Sequence, residues 1–285
     1  MSRAPRPARH LADGYQLIRR LSLGRDLEVY DAWSDHRACR CIIKRCRPDR
    51  TDASIERRLV EEGNLLKNFT HRHLVRGYDV LPGDSPLVVL ETLSGMTLEA
   101  VFENLAHAGR RMTLANTAIM LTHISSAASY LHRHELLHLD LKPSNVIVEA
   151  GQAKVIDLSL AHACGVGPAG WGTRSHMAPE QTCGELFTTA CDVWALGLLA
   201  YEALTGHNPF FDAGKSFDGN GVVRPYLQNR MSAPPIETHR RLPRAVADVV
   251  NASLAAKPTN RPILREFATV FYDTNPDPTL TNITR

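Results

Sequence analysis

The sequence predicts an α+β protein with a mainly β first part and a mainly α remainder, and three observations carry that expectation. Between Tyr15 and Cys46, apolar and β-branched residues alternate with polar ones in YQLIRRL, LEVYDAW and CRCIIKRC, with turn residues Ser34, Asp35 and His36 between the last two. Alternation of period two is what a strand with one buried face requires. Farther along, Leu114 to His134 places Leu114, Ile119, Leu121, Ile124, Ala127, Ala128 and Leu131 on one helical stripe. At 285 residues the chain suits one large domain or two lobes sharing a cleft.

Composition narrows the function classes. Hydrophobic residues make up 44% and charged residues 22%, and a net charge of +3 is too small to argue for a nucleic-acid surface. The longest apolar stretch, Val193 to Leu204, falls short of the roughly 18 residues a membrane span needs. The start of the chain lacks the apolar run of a signal peptide, so a cytoplasmic protein without a membrane segment is expected. The six cysteines are few and scattered for a disulfide framework. Cys39 and Cys41 share a strand face with Cys46 beyond, but no C-x-x-C pair or His spacing completes a zinc set.

In chain order, residues 1–13 read as a disordered Arg/Pro arm, in which Arg3, Arg6 and Arg9 are charged but have almost nothing to bury around them. After the strand meander, a helix over Ile55 to Phe69 turns Leu59, Leu65, Leu66 and Phe69 inward. A short buried strand, Pro86 to Glu91, runs into Thr92-Leu93-Ser94-Gly95. Asn145 to Val148 and Ala153 to Ile156 form a hairpin, Asp192 opens a buried helix, and helices near Pro243 to Leu254 and Pro262 to Tyr272 close the second part. Residues 273–285 read as a polar tail.

The chemistry concentrates in His138-Leu139-Asp140-Leu141-Lys142-Pro143-Ser144-Asn145, followed by an apolar strand. An Asp can orient a hydroxyl and accept its proton, a Lys can neutralise a migrating phosphoryl group, and an Asn carbonyl can hold a divalent cation. This loop resembles the catalytic loop of the eukaryotic-type protein kinases, and HLDLKPSN and MAPEQ are similar to segments of bacterial serine/threonine kinases. The resemblance extends over Tyr15 to Tyr272. It implies a two-lobed kinase domain over 14–272, with a small mainly β lobe of about 14–93 and a larger mainly α lobe of about 94–272.

The resemblance assigns roles residue by residue. It makes Asp140 the catalytic base and Lys142 the phosphate partner, and gives the metal ligands as Asn145 and Asp157 for Mg²⁺, or Mn²⁺ in its place. Asp157-Leu158-Ser159 is similar to the D-F-G element. ATP is implied as the phosphate donor, held by Ser22, Gly24, Val29, Ile42, Lys44, Glu62, Glu91, Leu93 and Ile147, with Glu91 to Leu93 as the hinge that bonds adenine. Lys44 alone could equally be an edge-strand gatekeeper; its assignment rests on Glu62, preferred over Glu61, as its pairing partner. Thr173 is assigned to the acceptor site. His138, Asp192 and the pair Glu180 and Arg261 are assigned structural roles, and Lys142 points to the Ser/Thr-specific branch, hence to protein substrates with Ser or Thr acceptors.

Departures from the pattern carry information of their own. Of the three glycines in the family's nucleotide loop only Gly24 is present, with Ser22 and Leu27 at the other positions, and Ile42 stands where Ala is usual. These favour a pseudokinase or nucleotide-binding scaffold as the alternative; a small-molecule kinase is a second alternative, opposed by Lys142 and by the Glu180 and Arg261 pair. Leu139 replaces the Arg that in many members holds an activation-loop phosphate. Residues 160–172 (LAHACGVGPAGWG) contain no Ser, Thr or Tyr. Both observations predict that activation-loop phosphorylation does not switch the protein on, and Gly165, Gly167, Gly170 and Gly172 predict a mobile loop. A regulatory protein partner is left open, and substrate identity and oligomeric state are not encoded in any motif.

Overall fold

The computed structural model describes residues 10–50, 52–211 and 225–274. Arg3, Arg6 and Arg9, the Gly/Asp-rich loop after Phe211 and the tail beyond Thr274 lie outside the described residues. Two compact units separate, one running to Ser94 and including Asp157–Ser159, the other comprising Gly95–Ile156 and the chain from Leu160 onward.

The first unit is an antiparallel sheet with one helix. Its strands are β1 (His10–Ala12), β2 (Tyr15–Leu23), β3 (Leu27–Ser34), β4 (Cys39–Cys46), β5 (Gly77–Leu81) and β6 (Leu87–Glu91), in the order β1-β2-β3-β4-β6-β5. The strand β1 lies within the segment read as a disordered arm. It pairs with β2 through His10 and Gln16 and through Ala12 and Tyr15, so backbone pairing orders a stretch whose composition offers little to bury. Strand alternation sets two faces. Tyr15, Tyr30, Ala32, Cys41, Ile43, Leu87 and Val89 form a buried cluster, while the alternate residues Ile42 and Lys44 pair with Leu90 and Val88.

Helix α1 (Ala53–Asn68) starts where Asp52 caps it, its side chain accepting from Ser54 N at 2.7 Å. The residues it buries are Leu59, Glu62, Gly63 and Leu66. Leu65, expected inward, is only half-buried. Gly63 takes that share of the contact, because a Cβ there would run into Val88 and Val80. The missing side chain brings α1 close to the sheet and sets Glu62 over Lys44.

The second unit begins with β7 (Met96–Thr97), α2 (Leu98–His107) and α3 (Leu114–Arg133). Thr97 and Thr113 cap the two helices, accepting from Ala100 N and Asn116 N. Gly95 cannot be replaced without cost, since a Cβ would collide with the Val148 carbonyl. Next come β8 (Leu136–Leu137), β9 (Val146–Glu149), β10 (Gln152–Val155), β11 (His162–Ala163) and β12 (Gly165–Val166), then α4 (Pro179–Cys183) and β13 (Leu186–Phe187). Strands order as β10-β9-β7, β11-β8 and β12-β13.

Three helices complete this unit: α5 (Thr189–Thr205), α6 (Arg244–Ser253) and α7 (Leu264–Thr274). The last extends through Asp273 and Thr274, which composition had placed in the tail. Helix α5 is apolar on nearly every side and accordingly central, burying Trp194, Leu196, Leu198, Leu199 and Tyr201 to 1% exposure or less. Each such side chain contributes about 1.5–3 kcal/mol of burial. No helix among the described residues is long and apolar enough to cross a membrane.

Candidate active site

In the first unit, β4 and α1 bring two side chains from distant sequence together. Lys44 Nζ lies 2.7 Å from Glu62 Oε1 and 3.6 Å from Asp157 Oδ1. The Leu158 amide donates to the same Glu62 oxygen at 3.1 Å, and Glu62 Oε2 is buried with no hydrogen-bond partner. Burial alone would depress the Lys44 ammonium, but the Asp157 and Glu62 carboxylates overcome it and hold the pKa above the ordinary lysine value. Burial pushes the Glu62 carboxyl up, opposed by Lys44. Lys44 is therefore a fixed positive charge. Asp157 has φ 72°, a left-handed conformation that costs a non-glycine residue energy, and its Oδ1 accepts from Ser159 N at 3.1 Å.

Of the remaining residues assigned to nucleotide binding, all but Ile147 belong to the first unit. Ser22 is exposed on β2 opposite the half-buried Val29 of β3. Gly24 N donates to Leu27 O at 2.9 Å, and Arg47 donates to the Gly24 carbonyl at 3.2 Å, so the turn is a closed hairpin. Ile42 is half-buried on β4, and Glu91 ends β6. Glu91 N bonds the Arg76 carbonyl at 3.0 Å, and Glu91 pairs with Cys41 across β4 and β6. Leu93 follows in irregular, half-buried chain. Ile147 lies on β9 in the second unit, opposite Thr97 and Lys154.

In the second unit, the turn Pro143–Asn145 folds the loop back onto Asp140. The Asp140 carboxylate accepts from Lys142 Nζ at 2.8 Å, Asn145 Nδ2 at 3.1 Å, Thr173 N at 3.0 Å and Thr173 Oγ1 at 2.7 Å. Lys142 Nζ also donates to Thr173 Oγ1 at 2.6 Å. Four donors fix one carboxylate. Asn145 Nδ2 donates additionally to the Asp140 carbonyl at 2.9 Å, which turns its amide oxygen away as the remaining acceptor.

The loop is held from beneath by Asp192 on α5. Its carboxylate, 0% exposed, accepts from His138 N and Leu139 N at 2.9 Å each, and His132 Nε2 lies 2.8 Å away. His132 was not singled out in the sequence, where nothing marks it apart from other histidines on the exposed side of a helix end. Burial would push the Asp192 carboxyl up, but the bonds from His132 and the His138 amide hold it below the usual carboxylate range. A depressed folded value contributes stability above the unfolded carboxyl pKa of about 3.9, and loses it as pH falls through the folded value. Asp192→Asn should therefore lower stability at neutral pH and make its decline below about pH 4 shallower; a variant with the wild-type acid limb in denaturant titrations would contradict this.

Glu180 and Arg261, distant in sequence, form a buried bidentate pair at 2.6 and 2.8 Å. Two glycines of the 160–172 segment lie beside Phe187. Gly165 pairs with Phe187, and a Cβ on Gly167 would collide with the Phe187 ring. Gly167 permits close packing there, whereas a Cβ on Gly165 would meet nothing within 4 Å.

Residues 15–272 match the protein kinase domain family. The chain belongs to the protein kinase family. It is 32% identical over 218 residues to a probable serine/threonine-protein kinase of Streptomyces coelicolor, covering 71% of this chain and 32% of that protein. The serine/threonine-protein kinase PknB of Mycobacterium tuberculosis is 30% identical over 269 residues, covering 88% of this chain and 41% of that protein. Human serine/threonine-protein kinase ULK3 is 28% identical over 271 residues, covering 90% and 54%. The chain thus spans only about a third to a half of the length of these relatives. The solved kinase domain of Mycobacterium tuberculosis PknI shares the fold, with a TM-score of 0.71 at 21% identity, covering 95% of this chain and 99% of that one.

Proposed function

We propose that this chain transfers the γ-phosphoryl group of ATP to Ser and Thr hydroxyls of protein substrates. The observation that carries the reading is the Asp140 carboxylate, held by Lys142, Asn145 and Thr173. A substrate hydroxyl taking the place of Thr173 Oγ1 would meet an ionised acceptor for its proton and a lysine for the charge of the migrating phosphoryl group. Lys44, kept charged by Glu62, neutralises the nucleotide phosphates. Asp157 and Asn145 each offer a hard oxygen donor suited to Mg²⁺, and the outward amide oxygen of Asn145 fits that use. The cation would neutralise phosphate charge. All six cysteines carry free thiols, which supports a reducing, cytoplasmic setting.

Activity is independent of activation-loop phosphorylation in this reading. Leu139 is buried at 3% exposure, where an arginine would seek a phosphate. The decisive measurement is phosphate incorporation by mass spectrometry with ATP, Mg²⁺ and a Ser/Thr-rich protein. Transfer to Ser or Thr is expected at the same rate from phosphatase-treated protein and from Ser159→Ala and Ser175→Ala variants. Small hydroxyl compounds serve as competing acceptors; their phosphorylation in place of protein would shift the substrate class. One observation favours a nucleotide-binding scaffold as second reading: the Gly24 amide is already spent on Leu27. Nucleotide binding by thermal shift without any transfer would select it.

A further inference from the structure

Leu139 has φ 64°, an unfavourable left-handed conformation for a branched residue, immediately before Asp140. Such a peptide persists only where its surroundings fix it. Its N–H is held by Asp192 Oδ1, and its carbonyl accepts from Gln181 Nε2 at 2.9 Å. Gln181 is 2% exposed and spends every polar atom of its side chain. The second Nε2 bond goes to the Trp171 carbonyl at 2.8 Å, and Oε1 accepts from Ala178 N at 3.0 Å. Its own carbonyl takes Gly170 N at 2.8 Å. Gly172 passes so close that a Cβ would lie 3.2 Å from both Gln181 Nε2 and the Leu139 carbonyl.

These bonds join two chain segments that meet again one step later. Leu139 precedes Asp140, Gly172 precedes Thr173, and Asp140 and Thr173 bond each other. We propose that Gln181 is a positioning residue for phosphoryl transfer: its carboxamide clamps the Leu139 peptide to the 170–172 segment and so sets the Asp140 carboxylate without any phosphate on the loop. The clamp rests on the kinase reading given above. It supplies, through an uncharged side chain, the ordering that an arginine and a phosphate would otherwise provide. Both clamped groups are main-chain carbonyls, so the bonds themselves use no side-chain atom of Leu139 or Trp171.

Gln181→Met keeps the length and removes the donors; Gln181→Glu keeps the shape and sets a carboxylate against two carbonyls. In phosphatase-treated full chain, kcat should fall by about a hundredfold, the scale of a small misplacement of a reacting group. KM for ATP should stay unchanged, because the Lys44 and Glu62 pair is built elsewhere. Amide exchange at 139–140 and 170–173 should accelerate. A merely structural role would instead lower the fraction of protein that binds nucleotide and leave kcat per binding site intact, and that result in either folded variant overturns the proposal. Should the wild type bind ATP without transferring phosphate, the kinase reading fails separately. The exchange data then still decide: faster exchange in Gln181→Met supports the clamp, and unchanged exchange removes it.

Discussion

Asp140→Asn is expected to lower kcat for protein phosphorylation by about 10² to 10⁴-fold while leaving ATP binding intact. The wild-type carboxylate accepts from Lys142, Asn145 and Thr173, and every one of those contacts uses an acceptor oxygen. An asparagine keeps the outline but has one oxygen, and its NH₂ would face donors. The variant therefore loses the proton acceptor and the order around it together. Lys44, Glu62 and Asp157 make their contacts in the other unit and are untouched by the change. Mass-spectrometric phosphate incorporation, run beside a thermal-shift titration with ATP, separates the two effects. A variant that phosphorylates at a rate near wild type would remove Asp140 from the chemistry.

Much of this arrangement is legible in the sequence for a definite physical reason. Period-two alternation announced the strands β2 to β4, because a sheet with one buried face needs it. Asp140, Lys142 and Asn145 lie within one loop at fixed offsets, and local geometry brings them together whatever the rest of the chain does. Lys44 and Glu62 are different. Their contact depends on how closely α1 approaches the sheet, which Gly63 sets, and only the resemblance to a kinase pairs them in sequence.

What stayed hidden was main-chain chemistry. Gln181 bonds the carbonyls of Leu139 and Trp171, groups that every residue type carries, so no side-chain pattern reports the contact. His132 reaches Asp192 from the end of α3, a match between two helices that periodicity cannot register. Strand β1 is likewise held by backbone pairing, invisible to a reading based on burial. The glycines of residues 160–172 pose a related difficulty. A glycine permits either freedom or close approach, and at Gly167 it is the neighbouring Phe187 ring that marks close approach.

Arg261→Ala carries the largest expected cost in stability. The guanidinium is 0% exposed at its side chain, forks onto both oxygens of Glu180, and also donates to the carbonyls of Ala190, Ala255 and Ala256. It lies 5.0 Å above the Trp194 ring. Removing it leaves Glu180 as a buried charge with the Cys191 thiol at 3.2 Å as one remaining donor. Breaking a buried pair from one side costs about 3–5 kcal/mol, which for a unit of this size lowers Tm by roughly 6–20 °C. Replacing both partners by apolar residues is often nearly neutral in other buried pairs. Here it should not be, because three carbonyls depend on Arg261 as well. The double variant Glu180→Leu with Arg261→Met should therefore recover only part of the loss, and differential scanning calorimetry on the three proteins measures it. Full recovery in the double variant would mean that the ion pair alone, and not the carbonyls it serves, is what Arg261 stabilises.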